Sequence, residues 1–168
     1  MTTPAWALSI AYWLHMLATV SWIGGLAVLS LLVLPAARKT LDEKGYANLL
    51  DAIRRRLDSI GWLSIMVLLA SGMLQLSASP HYEGFLSIHG LWATAILVKH
   101  ILFGIMVVIS GYVTWGIIPA MRRAALLRSH GKDSGELASL QKRSLRFMQF
   151  SLILGVLVLL LTAVARSA

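Results

Sequence analysis

From Ala5 to Ala37 the chain is a run of mostly apolar residues with one strongly basic or acidic side chain, His15, and the run is long enough to cross a bilayer as a helix. Three comparable runs follow, so segments at about 5–36, 59–79, 86–121 and 147–165 read as four transmembrane helices. Residues 1–168 are therefore expected to form a single integral membrane domain of the all-α class, a four-transmembrane-helix bundle. The composition agrees: 58% of residues are hydrophobic and only 13% charged, far from the pattern of a soluble domain. The chain has no cysteine, which excludes disulfides, thiolate metal sites and thiol redox chemistry. The N-terminus lacks the basic region and small-residue cleavage site of a secretory signal, so the first run is kept as a helix of the mature protein.

The formal charge of +8 does not indicate a nucleic-acid partner, because the basic residues sit between apolar segments, where they meet anionic lipid headgroups. All of the Lys and Arg residues except Lys99 and Arg166 lie in the first and third connections. The connection from Ser79 to Gly90 has none. The bias of basic loops toward the cytoplasm predicts an N-out/C-out topology, with the location a bacterial cytoplasmic membrane. Within the first connection, Lys39 to Asp58 reads as a cytoplasmic amphipathic helix, with Leu41, Tyr46, Leu49, Leu50 and Ile53 on its apolar side. The third connection holds a turn-rich loop from His130 to Glu136. Pro35 and Pro119 stand near the inner ends of the first and third segments, where a proline bends or stops a helix cheaply. Beyond that likeness in length, proline and following basic residues, no residue-level internal repeat is expected.

An ionisable group inside a spanning segment is a functional candidate by default. His15 is one, and Lys99-His100 in the third run supplies two more. Counted from the outer ends, His15 and His100 lie at comparable depth, roughly 12–20 Å below the surface at 1.5 Å per residue. Helices one and three run in the same direction and occupy diagonal corners of an up-down-up-down bundle, so the two imidazoles face across its core. Gly104 and Gly111 share the His100 face and would leave room for a flat ligand, while Trp22, too deep to be an interfacial anchor, would wall it from helix one. No carboxylate occurs in a spanning segment, so the natural partner of Lys99 is an anion carried by a ligand. Each feature also has a plainer reading: His15 could pair helices by bonding a hydroxyl, Lys99 could snorkel, and the glycines could be close-packing positions. Met66 and Met73 form a stripe on helix two that suits packing or a copper path. Helix four offers packing rather than ligands. His81 and His89, in the outer loop, are solvated or cap a second site.

These residues resemble the copper-resistance D (CopD) family of membrane domains and, more loosely, the HemJ family of haem-binding protoporphyrinogen oxidases. The matching stretches are Leu14-His15 with Ser21-Trp22-Ile23-Gly24-Gly25, Arg56-Leu57, Ser71-Gly72, Leu97-Val98-Lys99 and Gln141-Lys142-Arg143. The CopD resemblance implies copper handling across the inner membrane. The HemJ resemblance implies a b-type haem near His15 and redox chemistry involving a deep lysine, matched here by Lys99, the candidate catalytic residue of a membrane oxidoreductase.

The leading expectation is a membrane cytochrome: haem b between helices one and three, His15 and His100 as axial ligands, Lys99 near a propionate, and Trp22, Gly104 and Gly111 lining the site. Its partners would be a quinone, a porphyrinogen or a redox subunit. The rival is a copper-binding or copper-transport protein using His15, Met16, Met73 and His100. A third reading is a structural subunit of a larger membrane complex, or an oligomer, in which the histidines only pair helices.

Overall fold

A computed structural model describes residues 4–80, 90–130 and 135–167, and among them every regular element is a helix. Four long helices follow one another: α1 Ala5–Thr40, α2 Glu43–Ser77, α3 Gly90–Ser129 and α4 Glu136–Ser167. Each contains a stretch apolar and long enough to span a membrane. Their outward surfaces carry the exposed apolar side chains that a lipid environment requires, among them Trp13, Val20, Leu63, Val108 and Trp115. His81 and His89, and the loop residues Gly131 to Ser134, lie outside the described residues.

The helices run past the ends that hydropathy set. The segment expected to lie as a separate amphipathic helix is the first half of α2, continuous with its spanning part. Asp42 starts it, its carboxylate accepting from the Gly45 N–H at 3.0 Å, a cap that satisfies one of the orphan donors of the first turn. A Cβ on Gly45 would lie 2.7 Å from that oxygen, so a side chain there would displace the cap. The apolar side of this half packs inward: Tyr46 and Leu50 are buried in one cluster with Leu29, Leu34, Ala37, Ile117 and Met121, and Leu49 and Ile53 pack against it. Leu41 alone of the expected set is exposed. Arg38 is tied to the same place, donating to the Tyr46 hydroxyl at 3.2 Å while its guanidinium lies over the ring.

Neither proline ends its helix. Each is preceded by six residues of π-helix, Val28–Val33 in α1 and Tyr112–Ile117 in α3, after which the α-helix resumes. A proline within a helix removes one N–H and crowds the carbonyl four residues back. A wider turn just before it absorbs that crowding, so the helix continues.

These twin π-helical turns correct the expectation of no residue-level repeat. Laying Pro35 on Pro119 brings Val28–Val33 onto Tyr112–Ile117 and places Arg38 and Lys39 on Arg122 and Arg123. Burial follows the same register, with Ala11 matching Ala95, Trp22 matching Met106, and Ala37 matching Met121, all buried. In α2 and α4 a register three residues longer lays the buried Ser64 on the buried Ser151. The molecule is thus two helical hairpins, α1–α2 and α3–α4, each closely packed within itself. Between hairpins α1 meets α4 along a narrower seam. Across the other seam α2 and α3 are joined by large side chains, with Trp62 stacked on Trp115 at 4.9 Å and Arg122 3.7 Å from Asp51. The repeat was hidden because lipid-facing and packing positions accept many apolar residues; only the backbone irregularity and the prolines hold the register.

Candidate functional site

In the hairpin register His15 falls on Lys99, so the two ionisable groups are equivalent positions of the two halves. The repeat therefore sets them at one depth on matching faces, with His100 beside Lys99. The structure places Lys99 and His100 within electrostatic range of the His15 ring.

The histidines are held in one tautomer by their neighbours. Ser71 donates its hydroxyl hydrogen to the Val67 carbonyl, so its oxygen accepts from Nδ1–H of His15, 2.9 Å away. The ring packs on α2 at Gly72, where a Cβ would stand in van der Waals contact with it, 3.4 Å from His15 Cε1. His100 donates Nδ1–H to the carbonyl of Ile96 one turn earlier, at 2.6 Å. A carbonyl can only accept, so in both neutral rings the lone pair is on Nε2. Histidines that ligate metals through Nε2 are commonly fixed in this way, the other nitrogen donating to a carbonyl or hydroxyl. Gln75 braces the same layer, donating to the Ala11 carbonyl at 3.2 Å. Sequence reasoning passed over Ser71 and Gln75 as partners, although the adjacent small pair Ser71-Gly72 on α2 was a legible place for a ring to rest.

Lys99 has no hydrogen-bond or ion-pair partner among the described residues. No group of three or more His, Cys, Asp or Glu side chains gathers among them either. Of the other residues singled out, Trp22 is buried and packs edge-on against Phe103 at 5.6 Å. With Ala18, Ile65, Leu68, Met106 and Leu154 it forms an apolar layer on the side of the histidines nearer Pro35 and Pro119. Gly104 is exposed, with open space where a Cβ would stand, whereas Gly111 is buried beneath the Trp115 ring of its own helix, 3.0 Å from such a Cβ. Met16, Met66 and Met73 are all more than half exposed on the apolar outer surface, so the methionine stripe faces lipid. The interior thioethers are Met106, 1% exposed, and Met121, also buried.

Inward of the apolar layer lies a cavity of about 100 Å³, open on one side. It is bounded by Trp22, Gly25 and Leu29 of α1, Gly61 and Trp62 of α2, Ser110 and Thr114 of α3, and Met148 and Ser151 of α4. His15, Lys99 and His100 do not line it. Little in the sequence points to it, because its polar lining apart from Asp58 is made of serines and threonines, which are ordinary in membrane helices.

The fold and these side chains define a class: a four-helix integral membrane protein of two repeated hairpins with a histidine–lysine cluster between them. The family model for Copper resistance protein D matches residues 51–165, well over half of the chain, and the chain belongs to that family, CopD. The match takes in Lys99, His100, Ser71 and Gly72; His15 precedes it. The family suggests a copper-resistance membrane protein. No curated protein and no solved structure matches the chain.

Proposed function

We propose that the protein handles copper at the membrane, taking Cu(I) as its substrate between Nε2 of His15 and Nε2 of His100. The observation that carries this reading is the tautomer: two intramembrane imidazoles, each with Nδ1–H committed to a protein acceptor, in a chain of the copper-resistance family. Imidazole suits copper, and among the described residues no carboxylate joins the cluster to favour a harder ion. Onward passage is supported by the buried thioether of Met106 beneath the histidines and by Met148 at the cavity, donors suited to Cu(I). Met16 and Met73 drop from the ligand set because they face lipid.

A second reading is favoured by one observation. Lys99, half-buried in the same layer with no ion-pair partner among the described residues, would repel a bare cation but would attract the carboxylates of haem b, with His15 and His100 as axial ligands. When bound, the haem would supply one-electron chemistry at iron. The protein would fix the ring nitrogens and meet the propionates through Lys99, with a quinone or porphyrinogen as redox partner.

Anaerobic titration of the detergent-purified protein with Cu(I) against a chromophoric chelator tests the first reading, with a reduced-minus-oxidised spectrum and iron content measured on the same sample. About one Cu(I) per chain and no haem band is expected. A sharp low-spin spectrum with one iron per chain would transfer the site to haem, and neither metal would leave the histidines as helix-pairing groups. Ser71→Ala is expected to weaken Cu(I) binding about 10–100-fold, the usual consequence of removing the group that orients a ligating histidine. Unchanged affinity in that variant would mean that Ser71 does not set the ligand geometry.

A further inference from the structure

We infer that the inner cavity is a second binding site, for a neutral, planar, lipid-soluble ring bearing carbonyl oxygens, the chemistry of a quinone headgroup. The inference rests on unpaired hydroxyls. Ser151 lines the cavity, is 3% exposed, and has no hydrogen-bond partner among the described residues. Ser21, Ser110 and Thr114 line it as well, equally without partners among those residues. A buried polar group is nearly always satisfied, so the unpaired Ser151 hydroxyl at this void, with Ser21, Ser110 and Thr114 also on its lining, implies a guest that accepts from it. The void exceeds several-fold the roughly 10–15 Å³ that one water needs.

The rest of the lining selects the guest. Trp22 and Trp62 provide flat aromatic walls, with Phe147 at the inner end. Asp58 is the one charged residue of the lining, so the site does not call for an anionic ligand. Access is from the bilayer: Ile60 lines the cavity yet is 46% exposed, on the seam where α2 and α3 touch through large side chains rather than closely packed backbones. The cavity also sits between the two hairpins, lined by register-matched pairs such as Gly25 with Ile109 and Leu26 with Ser110. Repeat interfaces are where membrane proteins built this way place their ligands. A donor-rich, aromatic-walled, laterally open site fits a quinone carbonyl ring better than an ion or an acyl chain.

The test is retention of decylubiquinone by the full chain in nanodiscs, measured against empty nanodiscs, with decylbenzene as a probe having a matching tail but no carbonyl. Saturable retention of about one quinone per chain is expected, with no saturable retention of decylbenzene. Ser151→Ala should weaken the quinone about five-fold, as loss of one hydrogen bond predicts. It should not lower the melting temperature of the empty protein, since it removes an unpaired hydroxyl. Ser110→Leu should fill the void and abolish retention. His15→Ala should leave it intact, which separates this site from the metal reading. No saturable retention, equal retention of decylbenzene, or retention indifferent to both serine variants would overturn the proposal.

Discussion

Alanine at His100 or at His15 is expected to reduce Cu(I) affinity by more than about 100-fold, a larger loss than Ser71→Ala should cause, because a ligand is removed rather than its orienting partner. Two donors are the fewest that can hold the ion, and the described residues around them offer no ready substitute. Met16 and Met73 point to lipid, and the Met106 thioether lies in the apolar layer beneath. The two variants should be nearly equivalent and their double variant no worse than either, since a half-site is already empty in practical terms. Lys99→Met distinguishes the metal chemistries on the same protein. Removing a neighbouring ammonium should tighten Cu(I), whereas it should loosen a haem that uses Lys99 for its propionates. Competition titration reads the first effect and the haem absorbance after detergent washing reads the second. If His15→Ala and His100→Ala both bind Cu(I) as the parent does, the ion is held elsewhere.

How far this site could be read in advance depended on what each residue type must do in hydrocarbon. His15, Lys99 and His100 stood out because an ionisable side chain there needs a reason, and counting helical rise was enough to put them at one level. What could not be read was direction around the helix. Methionine is at home both in lipid and in a core, so Met16 and Met73 looked like ligands although they face outward. Gly104 and Gly111 looked like one cleared face, yet one is open and the other lies under Trp115. The four helices were legible from hydropathy alone. Their lengths were not, because Pro35 and Pro119 read as stops, and it takes the preceding π-helical turns to let the helices continue. The continuity of α2 was missed for a related reason: an amphipathic half followed by an apolar half looks like two elements, but no breaker lies between Lys44 and Trp62 apart from the tolerated Gly45 and Gly61.

The seam between the hairpins sets the largest expected effect on stability. Gly155 of α4 lies where α1 and α3 both press close: a Cβ there would stand 3.3 Å from Ile23 Cδ1 and Cγ1 and 3.4 Å from Met106 Cε. Met106 is 1% exposed and shares its layer with Trp22, so it has little room to withdraw. Gly155→Leu should therefore destabilise by overpacking, toward the upper end of the usual 1–3 kcal/mol, about 3 kcal/mol. The damage should fall on the packing of α4 against both α1 and α3, while the α1–α2 contacts are untouched. Helicity at low temperature should be unchanged and the melting temperature lowered. Gly104→Ala is the control: nothing stands within 4 Å of its Cβ position, so relief of glycine's backbone freedom should leave the protein as stable as before or about 0.5–1 kcal/mol more so. Equal melting temperatures for Gly155→Leu and the parent would mean that α1 and α4 can separate without penalty. The hairpins would then not be locked together at this layer, and the histidine cluster would depend on other contacts for its alignment.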